Sequence, residues 1–299
     1  MKTTLPQKKA KTSKAYVFAL VIIALFVLVA IFARQLAPHD PNARSFKISA
    51  LPPMWVHNDY MMGTADHPLG TDRYGRDILS RYLFGVRTAV LLAFCAIPAT
   101  ALLGILVGMI SGYLGGRTDR FLVLLMDIVQ SLPGIMFVVI IILILRNRFP
   151  PVWFSGCLTL IIGFSVVSWV GLARMVRAQV FQLKNELFFE AAVSLGATRW
   201  RIITRHLFPN IAHLVLVWIA NNVPAIILLE GILGYIGVSL VSAGIDNEFT
   251  VMSWGGLFYT GRSTLSSNPM ILLVPAASLL LLSMSFVLIG DHYHRKFSR

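Results

Sequence analysis

Charged side chains are scarce in this sequence: they make up 13% of its 299 residues, while apolar side chains make up 57%. Soluble proteins carry about 25% charged residues, so a chain this poor in charge cannot cover the surface of an ordinary soluble domain. The composition therefore predicts a membrane protein. The net charge of +13 does not indicate nucleic-acid binding, because the basic residues flank apolar runs and form no basic domain. We expect them to contact the lipid bilayer and no nucleic acid.

Cysteines and catalytic signatures are equally scarce. Cys95 and Cys157 lie in apolar runs without a CxxC spacing and are interpreted as small buried apolar side chains. There is no GxxxxGK[ST] loop and no Gly-Lys pair, which argues against ATP binding, and neither HExxH nor GxSxG occurs. The seven histidines show no metal-ligand spacing, and His292 and His294 are interpreted as solvated tail residues. The chain is predicted to be no enzyme and to bind no metal or cofactor of its own.

Six apolar stretches divide the chain. The first, predicted as a transmembrane helix at 15–34, holds 19 consecutive apolar residues, which exceeds the roughly 7–15 of a signal peptide and favours an uncleaved anchor. Five further spans are predicted within a core at 86–290, at about 88–114, 121–145, 152–173, 211–237 and 270–290. Basic residues concentrate in the tails 1–14 and 291–299 and in two short loops, which places both termini in the cytoplasm. The expected fold is an all-α polytopic membrane protein with six transmembrane helices.

The segment 35–85 is rich in proline and polar residues and is expected to be extracytoplasmic. Asp72 is predicted to cap an amphipathic helix at about 72–84 that lies on the outer surface. Its apolar face would carry Tyr74, Ile78 and Tyr82, and its charged face would carry i,i+4 pairs among Arg73, Asp77 and Arg81.

Several residues inside the spans have side chains that suggest a role beyond lipid contact. Gly104, Gly108, Gly112 and Gly116 recur at every fourth position, which predicts close packing against a neighbouring helix. Polar residues in a membrane are candidates for a transport pathway, and those in this chain are Asp127, Asn221, Asn222 and Glu230. For Asp127 the alternative is capping or pairing with an arginine near the cytoplasmic interface, and for Glu230 it is a structural pair; both alternatives stay open.

The loop 174–210 carries six of the 26 lysines and arginines and is therefore expected in the cytoplasm. Glu186–Leu195 is predicted to form a helix that is too short to cross a bilayer, with Gly196 as its left-handed C-terminal residue. A second amphipathic helix is predicted to begin at Thr198, to carry Trp200, Ile203 and Leu207 on one face, and to end before Pro209.

The residues of this loop resemble a motif of a known protein family. Glu190-Ala191-Ala192, Gly196 and Pro209-Asn210 resemble the EAA loop of ATP-binding-cassette (ABC) importer permeases. With Leu195-Gly196-Ala197 and His206-Leu207-Phe208-Pro209-Asn210, the loop is similar to the oligopeptide/dipeptide/nickel branch, in its C-type subunit. The resemblance implies that the loop docks in an ATPase subunit through Glu186, Phe188, Phe189, Glu190, Ala191, Ala192, Ser194, Leu195, Gly196, Ala197, Arg199, Pro209 and Asn210.

Two outer motifs resemble the same branch. The first includes Gly70, Thr71, Asp72, Gly75, Arg76, Asp77 and Arg81, and the second is Ser253-Trp254-Gly255. The resemblance implies a type I ABC importer transmembrane domain in a bacterial inner membrane, which moves peptides or nickel chelates by alternating access. It implies a second homologous permease, two ATPase subunits that bind ATP and magnesium, and an extracytoplasmic solute-binding protein. The alternatives are an ion-driven secondary transporter that uses Asp127 and Glu230, and a membrane-embedded enzyme.

Overall fold

The structure is a computed structural model that describes residues 14–56, 62–145, 148, 155–238 and 252–297. The predicted basic tail, apart from Lys14, and residues 152–154 of the fourth predicted span lie outside these residues. The helices are α1 (Lys14–Ile31), α2 (Ala33–Leu36), α3 (Ile78–Leu114), α4 (Gly116–Ser131), α5 (Gly134–Leu145), α6 (Ser155–Lys184), α7 (Leu187–Ser194), α8 (Arg199–Ile202), α9 (Phe208–Tyr235), α10 (Trp254–Gly261) and α11 (Met270–Phe297). Among the described residues, five helices are long and apolar enough to cross a membrane, and α4 with α5 makes a sixth if that bent pair is one span.

The second span begins earlier than predicted, and the separate surface helix at 72–84 is wrong. Helix α3 starts at Ile78 and continues without a break to Leu114. Its N-cap is Asp77, whose Oδ2 accepts a hydrogen bond from the Ser80 main-chain nitrogen at 2.7 Å. Asp72 cannot act as the cap because its Oδ1 instead accepts main-chain hydrogen bonds within the preceding turn.

The third predicted span, 121–145, is not one straight helix. Helices α4 and α5 meet at an angle of 88°. Between them, Leu132 has an extended backbone (φ −92°, ψ 141°), as expected for a residue that precedes proline. Pro133 therefore sets the break.

Three other helix ends differ from the predictions. Helix α6 continues to Lys184, so Arg174 and Arg177 belong to a helix and not to the loop. Pro209 does not end the second loop helix, because α8 continues through a π-turn (Ile203–Leu207) directly into α9. Asn210 Nδ2 donates to the His206 carbonyl oxygen at 2.6 Å and so satisfies a main-chain acceptor there. Helix α11 extends past residue 290.

The centre of the fold is the packing of α3 against α6. A side-chain carbon added at Gly108 would lie 2.5 Å from the Ala173 carbonyl oxygen, and one added at Gly112 would lie 2.8 Å from Val180 Cβ. Gly104 approaches Leu172 in the same way. Because these glycines have no side chain, the two helix backbones come close together. Gly116 does not belong to this stripe, since it opens α4 and has no neighbour within 4 Å of an added carbon.

Candidate functional site

Helix α7 forms the short helix of the predicted coupling loop and spans about 12 Å. The chain leaves it through a left-handed glycine, Gly196 (φ +72°). The main-chain nitrogen of Ala197 donates to the Ala192 carbonyl at 3.1 Å, and that of Gly196 donates to the Val193 carbonyl at 2.9 Å. These two bonds define a Schellman motif, which gives α7 a fixed end and a sharp change of chain direction. Thr198 then caps α8 by accepting from the Arg201 nitrogen.

One face of α7 packs against the rest of the chain. Ala192 is buried, and Phe189 is half-buried with its ring edge-on to that of Tyr113 on α3, at 6.5 Å between centroids. Ala197 is half-buried beside them. The remaining predicted coupling residues are exposed: Glu186, Phe188, Glu190, Ala191, Ser194, Leu195, Gly196, Arg199, Pro209 and Asn210.

The exposed side of the loop is unusually apolar. Leu187 is 81% exposed, Leu195 87% and Trp200 75%. Of the three residues predicted on one face of the second helix of the loop, Leu207 is buried, Ile203 is half-buried and Trp200 is exposed. Several large exposed apolar side chains within one short loop are a feature of protein–protein contact sites.

The C-terminal half of α6 is connected to its neighbours by basic side chains. Arg177 forms a two-point ion pair with Asp119 of α4, and Asp119 also accepts from the hydroxyl of Ser111 on α3. Lys184, three residues before α7, donates to the Tyr113 carbonyl at 2.9 Å. These contacts connect the part of α6 that leads into α7 to both α3 and α4.

The intramembrane carboxylates have protein partners. Asp127 Oδ1 lies 2.6 Å from Arg174 Nη2 of α6, in an exposed ion pair. Glu230 is 4% exposed, and each of its carboxylate oxygens lies 3.2 Å from the Gly255 main-chain nitrogen of α10. The pathway candidate Glu230 and the outer motif Ser253-Trp254-Gly255 are thus one structural unit.

The Trp254 side chain of this unit packs against aromatic side chains of two other helices. Its ring is almost fully buried and is stacked on Tyr82 of α3, with 6.1 Å between centroids and an interplanar angle of 7°. Phe26 of α1 meets it edge-on at the same distance. A side-chain carbon on Gly85 would lie 2.6 Å from the Trp254 ring. Helices α1 and α3 therefore both contact the indole ring of α10.

The four pathway candidates are not brought into one site. Asn221 is exposed and lies beside Gly290 of α11, whereas Asn222 Nδ2 donates to the Trp218 carbonyl of its own helix at 2.8 Å. Asp127 and Glu230 have the separate partners described above. Each of the four candidates therefore has its own neighbours among the residues that the structure describes.

The first outer motif folds around the buried carboxylate of Asp72. Its Oδ2 lies 2.7 Å from Arg76 Nη2 and 3.3 Å from Arg81 Nη1. The predicted pairs among Arg73, Asp77 and Arg81 are therefore wrong: Arg81 binds Asp72, and Asp77 contacts His67. The reason is that residues 72–77 form a tight turn and not a helix, so the i,i+4 spacing does not apply.

The other residues of this motif connect distant segments. Thr71 accepts from the Leu51 nitrogen at 3.0 Å and donates to the Ile48 carbonyl. Gly70 packs against Leu51 and against Asn268, whose amide donates to the Leu51 and Leu69 carbonyls at 3.1 and 2.8 Å. Gly75 packs against Ser45. The motif holds the segment before α3 against the start of α11.

Sequence reasoning missed Asp119, Tyr82 as the partner of Trp254, and His39 with His67. A signal existed only for Asp119, which is an acid in the first turn of α4. His292 was interpreted as solvated, but it is half-buried and stacks on Tyr16 of α1, at 4.1 Å between ring centroids.

The described residues thus form a set of membrane-length helices and a loop that presents a short helix with exposed apolar side chains. In fold, the chain is similar to a solved structure of the MetNI methionine ABC transporter in inward-facing conformations, with a TM-score of 0.56 at 17% identity over 73% of this chain and 97% of that one. Residues 104–299 match the family described as the binding-protein-dependent transport system inner membrane component, and the chain belongs to this family. Residues 8–53 match the N-terminal transmembrane domain of oligopeptide transport permease C.

Named relatives agree along nearly the whole chain. The oligopeptide transport system permease protein OppC of Bacillus subtilis is 31% identical over 94% of this chain and 84% of the relative. The OppC of Haemophilus influenzae is 32% identical over 93% and 82%, and the dipeptide transport system permease protein DppC of Bacillus subtilis is 32% identical over 95% and 81%. The chain is therefore a multi-pass membrane permease of an ABC importer.

Proposed function

We propose that this chain moves peptides, or related small solutes such as nickel chelates, as one of two permease subunits of an ATP-driven importer. Its partners would be a second homologous permease, two ATPase subunits that bind ATP and magnesium, and an extracytoplasmic solute-binding protein. The chain itself is non-catalytic in this proposal, crosses the membrane six times and keeps both termini in the cytoplasm. The names of the relatives support the peptide substrate, and the basic loops and tails support the orientation.

The observation that carries the proposal is the two-sided character of α7. On one side Ala192 is buried and Phe189 contacts Tyr113 of α3, while Leu187 at the start of α7, Leu195 at its end and Trp200 of the following α8 are exposed. An apolar surface of this kind is costly in water and becomes favourable when a partner covers it. We assign this surface to the ATPase subunit and call α7 the coupling helix.

The mechanism follows from how α7 is connected. ATP-driven closure of the two ATPases would move α7 as a rigid piece, because the Schellman motif fixes its end. Lys184 with Tyr113 and Arg177 with Asp119 would then pass that movement to α3, α4 and α6. The spans would then alternate between inward- and outward-facing states. This is an allosteric shift, and its free energy would come from the different affinities of the ATPases for the two states.

Ion-driven transport is less well supported. A carboxylate that carries ions or protons must change partners during the cycle, whereas Asp127 is paired with Arg174 and Glu230 is bound by Gly255. A membrane-embedded enzyme has no supporting cluster of catalytic side chains among the described residues.

The test is uptake of a labelled dipeptide or tripeptide into proteoliposomes that contain the full complex and the solute-binding protein. The proposal predicts uptake that requires enclosed ATP, is unaffected by a protonophore, and is reduced by unlabelled peptides. Uptake without ATP that collapses with the proton gradient would overturn the ATP-driven mechanism. ATP-dependent uptake of a solute that is neither a peptide nor a related small ligand such as a nickel chelate, with no competition by peptides, would overturn the substrate assignment alone.

A further inference from the structure

Two histidines and an aspartate from separate stretches of the chain meet at the start of α3. Each of His39, His67 and Asp77 offers one ligand atom, and all three atoms lie within 4.8 Å of one another. His67 Nδ1 lies 2.9 Å from Asp77 Oδ1, and the two imidazole rings lie 4.4 Å apart between centroids. Nothing in the transport mechanism uses this cluster.

The cluster is held in place by main-chain contacts. The His39 nitrogen donates to Ser80 Oγ at 3.1 Å, which fixes His39 beside the first turn of α3. The His67 carbonyl accepts from the Gly70 nitrogen at 2.8 Å. Asp77 uses Oδ2 to cap α3 at the Ser80 nitrogen, so Oδ1 faces the histidines. The His39 ring is held by Nε2, which donates to the Asp66 carbonyl oxygen at 2.7 Å, and the His67 ring is held by its hydrogen bond to Asp77.

Charge and burial also suit a cation. The Asp77 side chain is 1% exposed and that of His67 is 13% exposed. The neighbouring Arg76 and Arg81 are both engaged by Asp72. The contacts of the buried Asp77 carboxylate in the structure are with the His67 imidazole and the Ser80 main-chain nitrogen.

We propose that His39, His67 and Asp77 bind a borderline-soft transition-metal dication, with Zn²⁺ as the best match. Two imidazole nitrogens and one carboxylate oxygen form a common zinc ligand set, whereas Mg²⁺ and Ca²⁺ prefer oxygen ligands alone. Zinc–ligand distances of about 2.0–2.2 Å place tetrahedral ligand atoms roughly 3.3–3.6 Å apart. The metal would replace the proton between His67 and Asp77 and draw the remaining ligand atoms inward by about 1 Å. The fourth position would hold water.

Such an ion would fix the segment between α2 and α3 to the first turn of α3. Metal that binds the folded state stabilises it by mass action, and the gain rises with free metal concentration. The proposal goes beyond peptide transport and does not depend on it. It also replaces the sequence-based expectation of no metal, because the three ligands come from stretches with no recognisable spacing.

The test uses the full-length chain in lipid nanodiscs, purified through a tag that contains no histidine. Zinc affinity is measured by competition with a chromophoric chelator, and Co²⁺ absorption reports the coordination geometry. The three test variants each keep the local hydrogen bond but remove a metal ligand: His39→Gln, His67→Asn and Asp77→Asn. Asparagine is as good an N-cap as aspartate, so Asp77→Asn leaves the start of α3 intact. His292→Ala, which removes an imidazole outside the cluster, is the matched control.

The proposal predicts one equivalent of zinc, a tetrahedral Co²⁺ spectrum, and an affinity that falls by roughly 100-fold or more in each test variant but not in the control. Zinc should also raise the unfolding temperature of the wild type and leave that of Asp77→Asn unchanged. Absence of zinc binding, or equal binding by the wild type and all three test variants, would overturn the proposal. The second outcome would mean an adventitious ion only.

Discussion

Arg177 donates two hydrogen bonds to the Asp119 carboxylate: Arg177 Nε lies 2.6 Å from Asp119 Oδ1, and Arg177 Nη2 lies 2.7 Å from Asp119 Oδ2. This fork connects α6, which leads into the coupling helix, to the first turn of α4. Both side chains are less than one-third exposed, so the pair is less screened by solvent than a surface ion pair. In our account it transmits force from the loop to the membrane helices.

Breaking the Arg177–Asp119 ion pair should uncouple ATP hydrolysis from peptide uptake. Arg177→Gln or Asp119→Asn should lower peptide uptake several-fold while ATP hydrolysis continues, and should cost about 1–2 kcal/mol of stability. Arg177→Lys should give an intermediate result, because lysine keeps the charge but not the planar fork. The measurement is peptide transported per ATP hydrolysed. As a control, Arg295→Ala removes a largely exposed ion pair with Asp291. It should change neither the peptide transported per ATP hydrolysed nor the stability.

Position 196, in the turn after α7, should accept asparagine but not a β-branched residue. Gly196 has a left-handed backbone and no neighbour within 4 Å of an added carbon, so any effect of substitution there arises from the backbone and not from a clash. Gly196→Asn should retain most uptake, whereas Gly196→Val should cost about 1–2 kcal/mol locally and lower uptake relative to hydrolysis. Equal uptake by both variants would show that the fixed turn is unimportant.

Glu230 should behave as a structural acceptor. Glu230→Gln keeps an oxygen for the Gly255 nitrogen and should retain uptake. Glu230→Ala leaves that nitrogen buried without an acceptor, at a cost of about 1–3 kcal/mol, and should lower the unfolding temperature of the complex. Thermal unfolding and uptake are measured on the same samples. Loss of uptake in Glu230→Gln with unchanged stability would instead favour a carboxylate that acts in the transport pathway.

The close packing of α3 on α6 can be tested by adding a methyl group to a glycine in the contact and to a glycine outside it. Gly108→Ala forces the new carbon against the Ala173 carbonyl and Val176, and should destabilise the protein by about 1–3 kcal/mol. Gly171→Ala on the facing helix adds the same methyl group where nothing lies within 4 Å, and should be neutral. Unfolding of the purified protein compares the two. A neutral Gly108→Ala would mean that α3 and α6 do not pack this closely.

Periodicity and composition predicted much of this architecture. A run of 19 apolar residues and the excess of basic residues in short loops reveal the spans, because each depends on local sequence alone. The α7 helix and its glycine end were predictable for the same reason. The turn at 72–77 was misread, because Asp72 can cap a helix or nucleate a turn equally well by sequence. Its partner Arg81 lies nine residues away, and only the tertiary fold decides between the two.

Contacts between distant segments could not be predicted. Glu230 and Gly255 belong to separate helices, and neither residue's neighbours in sequence indicate the other. The same holds for Trp254 with Tyr82 and for His39 with His67. The π-turn before Pro209 was not predicted because proline usually ends a helix, whereas here Pro209 lies in the first turn of α9, where its missing N–H is tolerated.

The coupling role of α7 is tested most directly by a photo-crosslinking residue placed at Leu195 in the full complex, with the same residue at exposed Phe46, in the segment before α3, as the control. Our account predicts a crosslink from position 195 to an ATPase subunit in every nucleotide state, with a yield that changes between the ATP-bound and nucleotide-free states, and no ATPase crosslink from position 46. If position 195 never crosslinks to an ATPase during turnover while the complex still transports peptide, the coupling assignment is contradicted.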